Sequence, residues 1–275
     1  VASQAHWREK LLDEISSRPR VLIVLDFDGT LVPFRTRPHL AALGADERRM
    51  LRRLDSGRSR LAMMSGRSVA DLRRQVGVPD IFYGGVFGLE IAGPGWRYIH
   101  PRARAMKKPL AGLVKSFELL FTDVDGVQIE DKGVGLSIHF RNVPPERRAE
   151  FFRRLAHARS AVPKGFRWQR GRACWEVMPR AFWDKGSASM LLWRRLGRPY
   201  LLIIGDERYD EPMLRVAHER GAGLRVGRGT SAASRRLRDY NAVRRFLHGL
   251  ADRIGGRFTK TIQGRYAPAM VIKER

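Results

Sequence analysis

Apolar residues arrive along this chain in two rhythms. From Gln4 to Ile15 they fall at Trp7, Leu11, Leu12 and Ile15, the spacing of one helix face. Arg18-Pro19-Arg20 breaks that pattern, and Val21-Leu22-Ile23-Val24-Leu25 follows with no polar residue at all. An unbroken apolar run of this length suits a parallel strand covered on both faces. The alternation continues with a helix over Asp46–Leu54, a strand over Arg60–Met64, a helix over Val69–Val76 and a short strand at Ile81-Phe82-Tyr83. It resumes late in the chain: a helix over Lys185–Leu196, a strand over Tyr200–Ile204, a helix over Glu211–His218, a strand over Gly223–Val226, and helix from Ser231 onward. The pattern predicts an α/β fold with a Rossmann-like parallel-sheet core.

Between these halves the rhythm changes. A helix over Ala103–Leu120 leads to two alternating segments, Gln128–Lys132 and Leu136–Arg141, flanking Gly133-Val134-Gly135, a hairpin turn. Pro144-Pro145-Glu146 opens a helix to about Ala158, since proline is tolerated in a first helical turn. Strands follow over Phe166–Gln169 and Ala173–Met178. The order helix, strand, strand, helix, strand, strand predicts an inserted α+β cap spanning Ala103–Arg180. The core is then discontinuous, Val1–Arg102 plus Ala181–Arg275. The segment Asp252–Arg275 is too weakly patterned to assign.

Composition changes this picture little, apart from charge. A content of 43% hydrophobic and 29% charged residues fits an ordinary globular protein, and no run is long enough to span a membrane. Val1–Ser17 carries no apolar core of a secretory leader. Cys174, the one cysteine, has no partner for a disulfide or a zinc pair, so a cytoplasmic setting is expected. The formal charge of +25 would draw polyanions. Nine of the 53 basic residues are lysines and 44 are arginines, scattered from Arg8 to Arg275. With no compact basic tail and no nucleic-acid-binding signature, an arginine-biased composition accounts for the charge. No nucleic-acid or membrane partner is expected, and the chain is taken as a monomer. A positive field would still gather a doubly charged phosphate ester.

The candidate chemistry sits where parallel sheets place it, beyond the carboxyl ends of their strands. Asp26-Phe27-Asp28-Gly29-Thr30 follows the first strand, Ser65 the second, Asp206 the strand Tyr200–Ile204, and Lys185 opens a helix. Asp26 is placed to act as a carboxylate nucleophile toward phosphorus. Asp28 is placed to protonate a leaving alkoxide and then take a proton from water. Ser65 and Lys185 offer a hydrogen bond and a positive charge to the transferring group. Asp206 and Asp210, with Asp26, supply the hard oxygen donors that Mg²⁺ prefers. Each piece has a bland reading: Asp-x-Asp-Gly is a common turn, and Ser65 could simply cap a helix. Their order along one deduced sheet edge is what points to catalysis.

In the inserted module, Ser137, His139 and Arg141 alternate with Leu136, Ile138 and Phe140, so a strand would show one polar and one apolar face. Glu130 and Lys132 share a face of the partner strand. A polar sheet face serves equally as a sugar-binding lid or as a solvated surface, and the pattern leaves both open.

Asp26-Phe27-Asp28-Gly29-Thr30-Leu31, Ser65-Gly66-Arg67, Lys185-Gly186 and Gly205-Asp206-Glu207 with Asp210-Glu211 resemble the four motifs of the haloacid dehalogenase superfamily. Val32-Pro33, Tyr83 with Gly88-Leu89-Glu90-Ile91, Glu130-Asp131-Lys132, Ser137–Arg141 and Glu176-Val177-Met178-Pro179 are similar to the trehalose-6-phosphate phosphatase family within it. The resemblance spans about Val21 to Leu250. It implies a Mg²⁺-dependent phosphatase acting on a small sugar phosphate through an aspartyl-phosphate. Asp26, Asp28, Ser65 and Lys185 are then catalytic, and Asp26, Asp28, Asp206 and Asp210 hold the metal. Gly66, Arg67, Glu130, Lys132, His139, Arg141 and Glu176 bind substrate. Two motifs depart from the family pattern: Phe87 stands where a His precedes the glycine, and Glu207 and Tyr209 replace the usual Asp and Thr of the fourth motif. Phe87 keeps other sugar phosphates open, among them sucrose or glucosylglycerol phosphate. A non-catalytic phosphosugar- or RNA-binding module is the reading from another class. Trp168, Trp175 and Trp183 are expected to pack rather than stack on sugar.

Overall fold

In the computed structural model the structure describes residues 2–33 and 42–255. The first elements are α1 (Ala2–Ser17), β1 (Val21–Leu25), α2 (Ala45–Leu54), β2 (Ser59–Met64), α3 (Val69–Val76) and β3 (Phe82–Gly85). Two short strands follow, β4 (Glu90–Gly93) and β5 (Trp96–Ile99), then α4 (Pro101–Ala105) and α5 (Lys107–Leu120). The middle of the chain gives β6 (Gln128–Asp131), β7 (Leu136–His139), α6 (Arg148–Ala161), β8 (Phe166–Arg170) and β9 (Cys174–Pro179). The last part gives α7 (Lys185–Arg195), β10 (Tyr200–Gly205), α8 (Glu211–His218), β11 (Gly221–Val226), β12 (Arg235–Leu237) and α9 (Tyr240–Gly255).

The large sheet has the order β12-β11-β10-β1-β2-β3-β4-β5. It is parallel from β12 to β3, and β4 and β5 add an antiparallel edge. The apolar runs behave as their lack of polar residues requires. Val21, Ile23 and Leu25 enter one core with α1, α2, α3 and α9, while Leu22 and Val24 enter the opposite core with α7 and α8. β2 and β10 split in the same way, because successive side chains of a strand point to opposite faces.

A second sheet, β6-β7-β9-β8, is wholly antiparallel. Its Leu136, Ile138 and Val177 pack against Leu110, Val114 and Phe117 of α5 and Phe151 and Leu155 of α6 as a separate hydrophobic cluster. The Gly133–Gly135 turn does more than reverse the chain: Val134 is buried with Val86, Leu89, Ala103 and Met178, which fixes the hairpin to the main body.

Four expectations change in detail. The third strand slides to Phe82–Gly85, and β4–β5 behind it was not expected; each strand has only four residues, although Gly93-Pro94-Gly95 is a turn signal. The helix expected over Ala103–Leu120 starts at Pro101 and breaks at Met106, which closes α4 and caps α5. The helix expected from Ser231 begins only at Tyr240, after β12. Of the unassigned Asp252–Arg275 segment, the first four residues complete α9 and residues 256–275 lie outside the described residues.

Ile23 is fully buried at the centre of the large sheet. Ile23→Ala should therefore cost about 2–5 kcal/mol through lost burial and a cavity. Urea unfolding should show a lower midpoint at unchanged slope; an unchanged midpoint would contradict the placement.

Candidate active site

Parallel register brings the chemistry to one edge. Leu25 pairs with Ile204 on one side and Met63 on the other. The next residues, Asp26, Gly205-Asp206 and Met64-Ser65, therefore emerge at one level. Asp26 N–H still donates to Ile204 O at 2.9 Å, so the nucleophile candidate is anchored by the sheet itself. The chain then turns sharply: Gly29 adopts φ 88°, a conformation glycine takes without strain, and its N–H donates to Val32 O at 2.8 Å.

Lys185 is the first residue of α7, whose N-cap Asp184 accepts from Ser187 N–H at 2.8 Å. Behind it, a Cβ on Gly186 would lie 2.7 Å from the Pro212 backbone, so glycine lets α7 close on α8. Lys185 Nζ thereby reaches both Asp26 Oδ1 and Asp210 Oδ1 at 2.6 Å. All three side chains are buried. The other oxygen of Asp210, Oδ2, accepts from the N–H groups of Asp206 (2.9 Å) and Glu207 (2.8 Å). Thr30 Oγ1 donates to Asp206 Oδ1 at 3.0 Å. Sequence reasoning gave Thr30 no role beyond its motif.

Asp26, Asp206 and Asp210 each offer a carboxylate oxygen within 4.8 Å of the others. One ammonium among three carboxylates leaves an excess of negative charge in a desolvated place. Burial and the neighbouring Asp210 hold the Asp26 carboxyl well above the usual carboxylate range, with Lys185 only partly offsetting them. Burial and Asp210 likewise raise Asp206. Lys185 itself is held firmly cationic, since Asp210 and Asp26 outweigh the burial that opposes its charge. Hard oxygen donors with uncompensated negative charge are what a Mg²⁺-sized cation requires, so the residues present fit such an ion.

Asp28 stands apart from that cluster. Its carboxylate is held in a fork by Arg67, Nε to Oδ2 and Nη2 to Oδ1, both at 2.6 Å. Arg67 also donates through Nη1 to Asp71 Oδ2 at 2.6 Å and lies over the Phe27 ring. The side chain of Asp28 therefore does not join the three metal-ligating candidates, and Arg67, expected to meet substrate, is instead engaged with two carboxylates. Asp71 was missed; its position four residues after Arg67, in the first turn of α3, was the available signal. Ser65 is buried, and its Oγ accepts from Arg67 N–H at 3.2 Å.

The second sheet contributes a polar face. Glu130 pairs with Ser137, Ser137 with Glu176, and Glu176 with Gln169 across successive strands. Lys132 Nζ binds both oxygens of Glu176 at 3.1 and 3.0 Å and reaches Gly66 O of the main body at 2.9 Å. Ser137 Oγ donates to Glu176 Oε2 at 2.7 Å. Lys132 stays charged despite burial because Glu176 and Glu130 favour its ammonium. Glu130 and His139 Nε2 lie 2.8 Å apart. Arg141 is not brought to this face: β7 ends at His139, the alternation lapses, and Arg141 is exposed in the following turn. Cys174 is a buried thiol beside Glu176, pushed up to about 12 by burial and that carboxylate. Trp168 and Trp175 pack in the cluster under the second sheet. Trp183 donates its indole N–H to Gly88 O at 2.8 Å.

The chain is similar to known proteins along most of its length. The family model described as trehalose-phosphatase matches residues 24–242. Trehalose-phosphate phosphatase B of Arabidopsis thaliana is 29% identical over 264 residues, covering 88% of this chain and 70% of its own. The solved structure of a trehalose-6-phosphate phosphatase related protein superposes with TM-score 0.73 at 22% identity, covering 84% of this chain and 96% of that one. A haloacid dehalogenase-like hydrolase from Bacteroides thetaiotaomicron superposes with TM-score 0.59 at 17% identity, over 87% and 100% of the two chains. At these identities the likeness to the solved structures is one of fold.

The crowded carboxylates set a pH dependence. Without divalent cation, the folded protein holds protons on Asp26 and Asp206 more tightly than the unfolded chain. Their contribution to stability is then greatest below about pH 4 and is lost as pH rises through the raised values. Thermal unfolding in chelator from acid to neutral pH should show Asp206→Asn gaining on the wild type as pH rises. A gap that closes with rising pH would contradict the electrostatic account.

Proposed function

The chain belongs to the trehalose-phosphatase family, and from that premise we propose that it hydrolyses trehalose 6-phosphate to trehalose and inorganic phosphate, using magnesium and an aspartyl-phosphate on Asp26. The observation that carries the mechanism is the single Lys185 ammonium shared by Asp26 and Asp210, with Asp206 beside them on one sheet edge.

The chemistry follows from the groups on that edge. An Asp26 carboxylate oxygen forms a bond to phosphorus as the bond from phosphorus to the sugar oxygen breaks. The departing alkoxide takes a proton from Asp28, which starts this step protonated. Water then attacks phosphorus, gives its proton to Asp28 and frees Asp26, so one group serves both half-reactions. Arg67 fixes where Asp28 points. Its second contact, to Asp71, keeps the guanidinium in place. The Ser65 hydroxyl is available to donate to a phosphoryl oxygen, because toward Arg67 N–H its Oγ acts as acceptor. Lys185 offsets charge on the nucleophile throughout. Asp26, Asp206 and Asp210 would hold the magnesium ion, which supplies charge neutralisation between anionic enzyme and anionic phosphate.

Residues 103–180 serve in this reading as the cap, and 1–102 with 181–275 as the core. Glu130, Lys132, His139 and Glu176 line the cap face that meets the sugar, and closure excludes bulk water. The enzyme is taken as a cytoplasmic monomer serving trehalose biosynthesis, with no nucleic-acid partner. Among the described residues, no helix is long and apolar enough to cross a membrane. Phe87 favours keeping sucrose and glucosylglycerol phosphates as comparison substrates, because an aromatic ring stands where the family has imidazole.

Initial rates of phosphate release over a sugar-phosphate panel with Mg²⁺ should rank trehalose 6-phosphate first; a low rank would overturn the substrate assignment. Asp26→Asn should release no phosphate while melting cooperatively, and turnover at the wild-type rate would rule out the covalent route.

A further inference from the structure

The antiparallel second sheet meets the main body at both ends. At one end lie Lys132 and the buried Val134 of the β6–β7 turn. At the other end the β8–β9 turn meets the loop that carries Asp206 and Asp210. There Tyr209 Oη donates to Arg170 O, the last residue of β8, at 2.7 Å. Arg172 lies 3.4 Å from Glu207. The Tyr209 ring is itself braced. Its edge meets Phe87 at 5.6 Å and 65°, and the Arg208 guanidinium lies over it at 4.8 Å. Phe87 is held in a left-handed conformation, φ 57° and ψ 28°, with its N–H donating to Ser65 O at 2.9 Å. Its ring tip stands 2.9 Å from where a side chain on Gly66 would begin, so it fills the space over the serine loop. The two aromatic departures from the family pattern therefore touch each other and span from the serine loop to the cap.

What Tyr209 secures carries an unspent hydrogen-bond donor. Gln169, one residue before Arg170, pairs with Glu176 and so shares the polar face. Its Nε2 is buried with no hydrogen-bond partner among the described residues. A buried amide left unpaired is costly, and such groups in folded proteins call for an explanation. Beside a carboxylate already satisfied by Lys132 and Ser137, the natural acceptor is a hydroxyl oxygen of the sugar.

We propose that Gln169 donates to a hydroxyl of the leaving sugar, and that Tyr209, braced by Phe87, is the positioning residue that holds β8 so that it does. The inference rests on the phosphatase reading. It makes Tyr209 a link between the metal-carrying loop and leaving-group recognition, acting through Gln169 rather than on phosphorus.

The test is steady-state kinetics of wild type, Gln169→Leu, Tyr209→Phe and the double variant on trehalose 6-phosphate and on p-nitrophenyl phosphate, which has no sugar hydroxyl. Each single variant should raise KM for the sugar phosphate roughly fivefold, the scale of one hydrogen bond, with kcat little changed. The ratio of kcat/KM for sugar over aryl ester should fall by the same factor. The double variant should be no worse than Gln169→Leu, because the two residues act in series. Gln169→Leu should melt at or above the wild-type temperature, since leucine removes the unpaired donor. An unchanged KM in Gln169→Leu, or effects that multiply in the double variant, would overturn the proposal. So would equal losses on both esters with a lowered melting temperature, which mark a structural role. A wild type that hydrolyses neither ester would instead remove the phosphatase reading beneath it.

Discussion

The ammonium of Lys185, buried between Asp26 and Asp210, is the interaction on which the rest of this structure depends. Two carboxylates that close, with Asp206 adjacent, repel strongly when shielded from water. Removing the ammonium from such a buried set leaves its carboxylates uncompensated, a larger loss than the set contributes when whole. The lysine therefore holds together an arrangement that would otherwise spread apart, while offsetting only part of the push that burial and Asp210 give the Asp26 carboxyl. One carboxylate oxygen each from Asp26, Asp206 and Asp210 still lies within 4.8 Å of the others. The same residual negative charge that stresses the carboxylates also suits them to a divalent cation.

Delivering that lysine takes most of the fold. β1 must lie between β10 and β2 in parallel register so that Asp26, Asp206 and Ser65 emerge level. α7 must begin at Lys185 and pack closely on α8, which the Gly186–Pro212 approach secures. Asp210 must be pinned by the N–H groups of its own loop. Arg67 then holds the second carboxylate, Asp28, in a fork apart from the cluster. Two carboxylates two residues apart are thus given distinct environments, one crowded by like charge and one forked by a guanidinium.

Much of this was legible in the sequence because it is written in local patterns. Unbroken apolar runs marked the parallel strands, and residues at strand ends marked the site edge. Position two apart in β7 correctly separated Ser137 and His139 from Leu136 and Ile138. Other features are set by contacts that no local pattern carries. Arg67 looks like a substrate contact until its fork on Asp28 is seen, a pairing 39 residues distant. Arg141 left the polar face because β7 stops early, and strand ends are poorly marked in sequence. β4 and β5 are too short to show a period. Phe87 and Tyr209 were separately odd, and only the fold shows that they form one contact.

The account stands on Asp26 as the atom that takes the phosphoryl group. The most direct measurement is rapid acid quench of the magnesium-loaded protein during turnover of trehalose 6-phosphate, followed by intact mass and peptide mapping. The account predicts a transient adduct of one phosphoryl group on the peptide carrying Asp26, appearing before steady-state phosphate release. Full turnover with no phosphorylated protein at any quench time, or a phosphoryl group mapped to another residue, would contradict it.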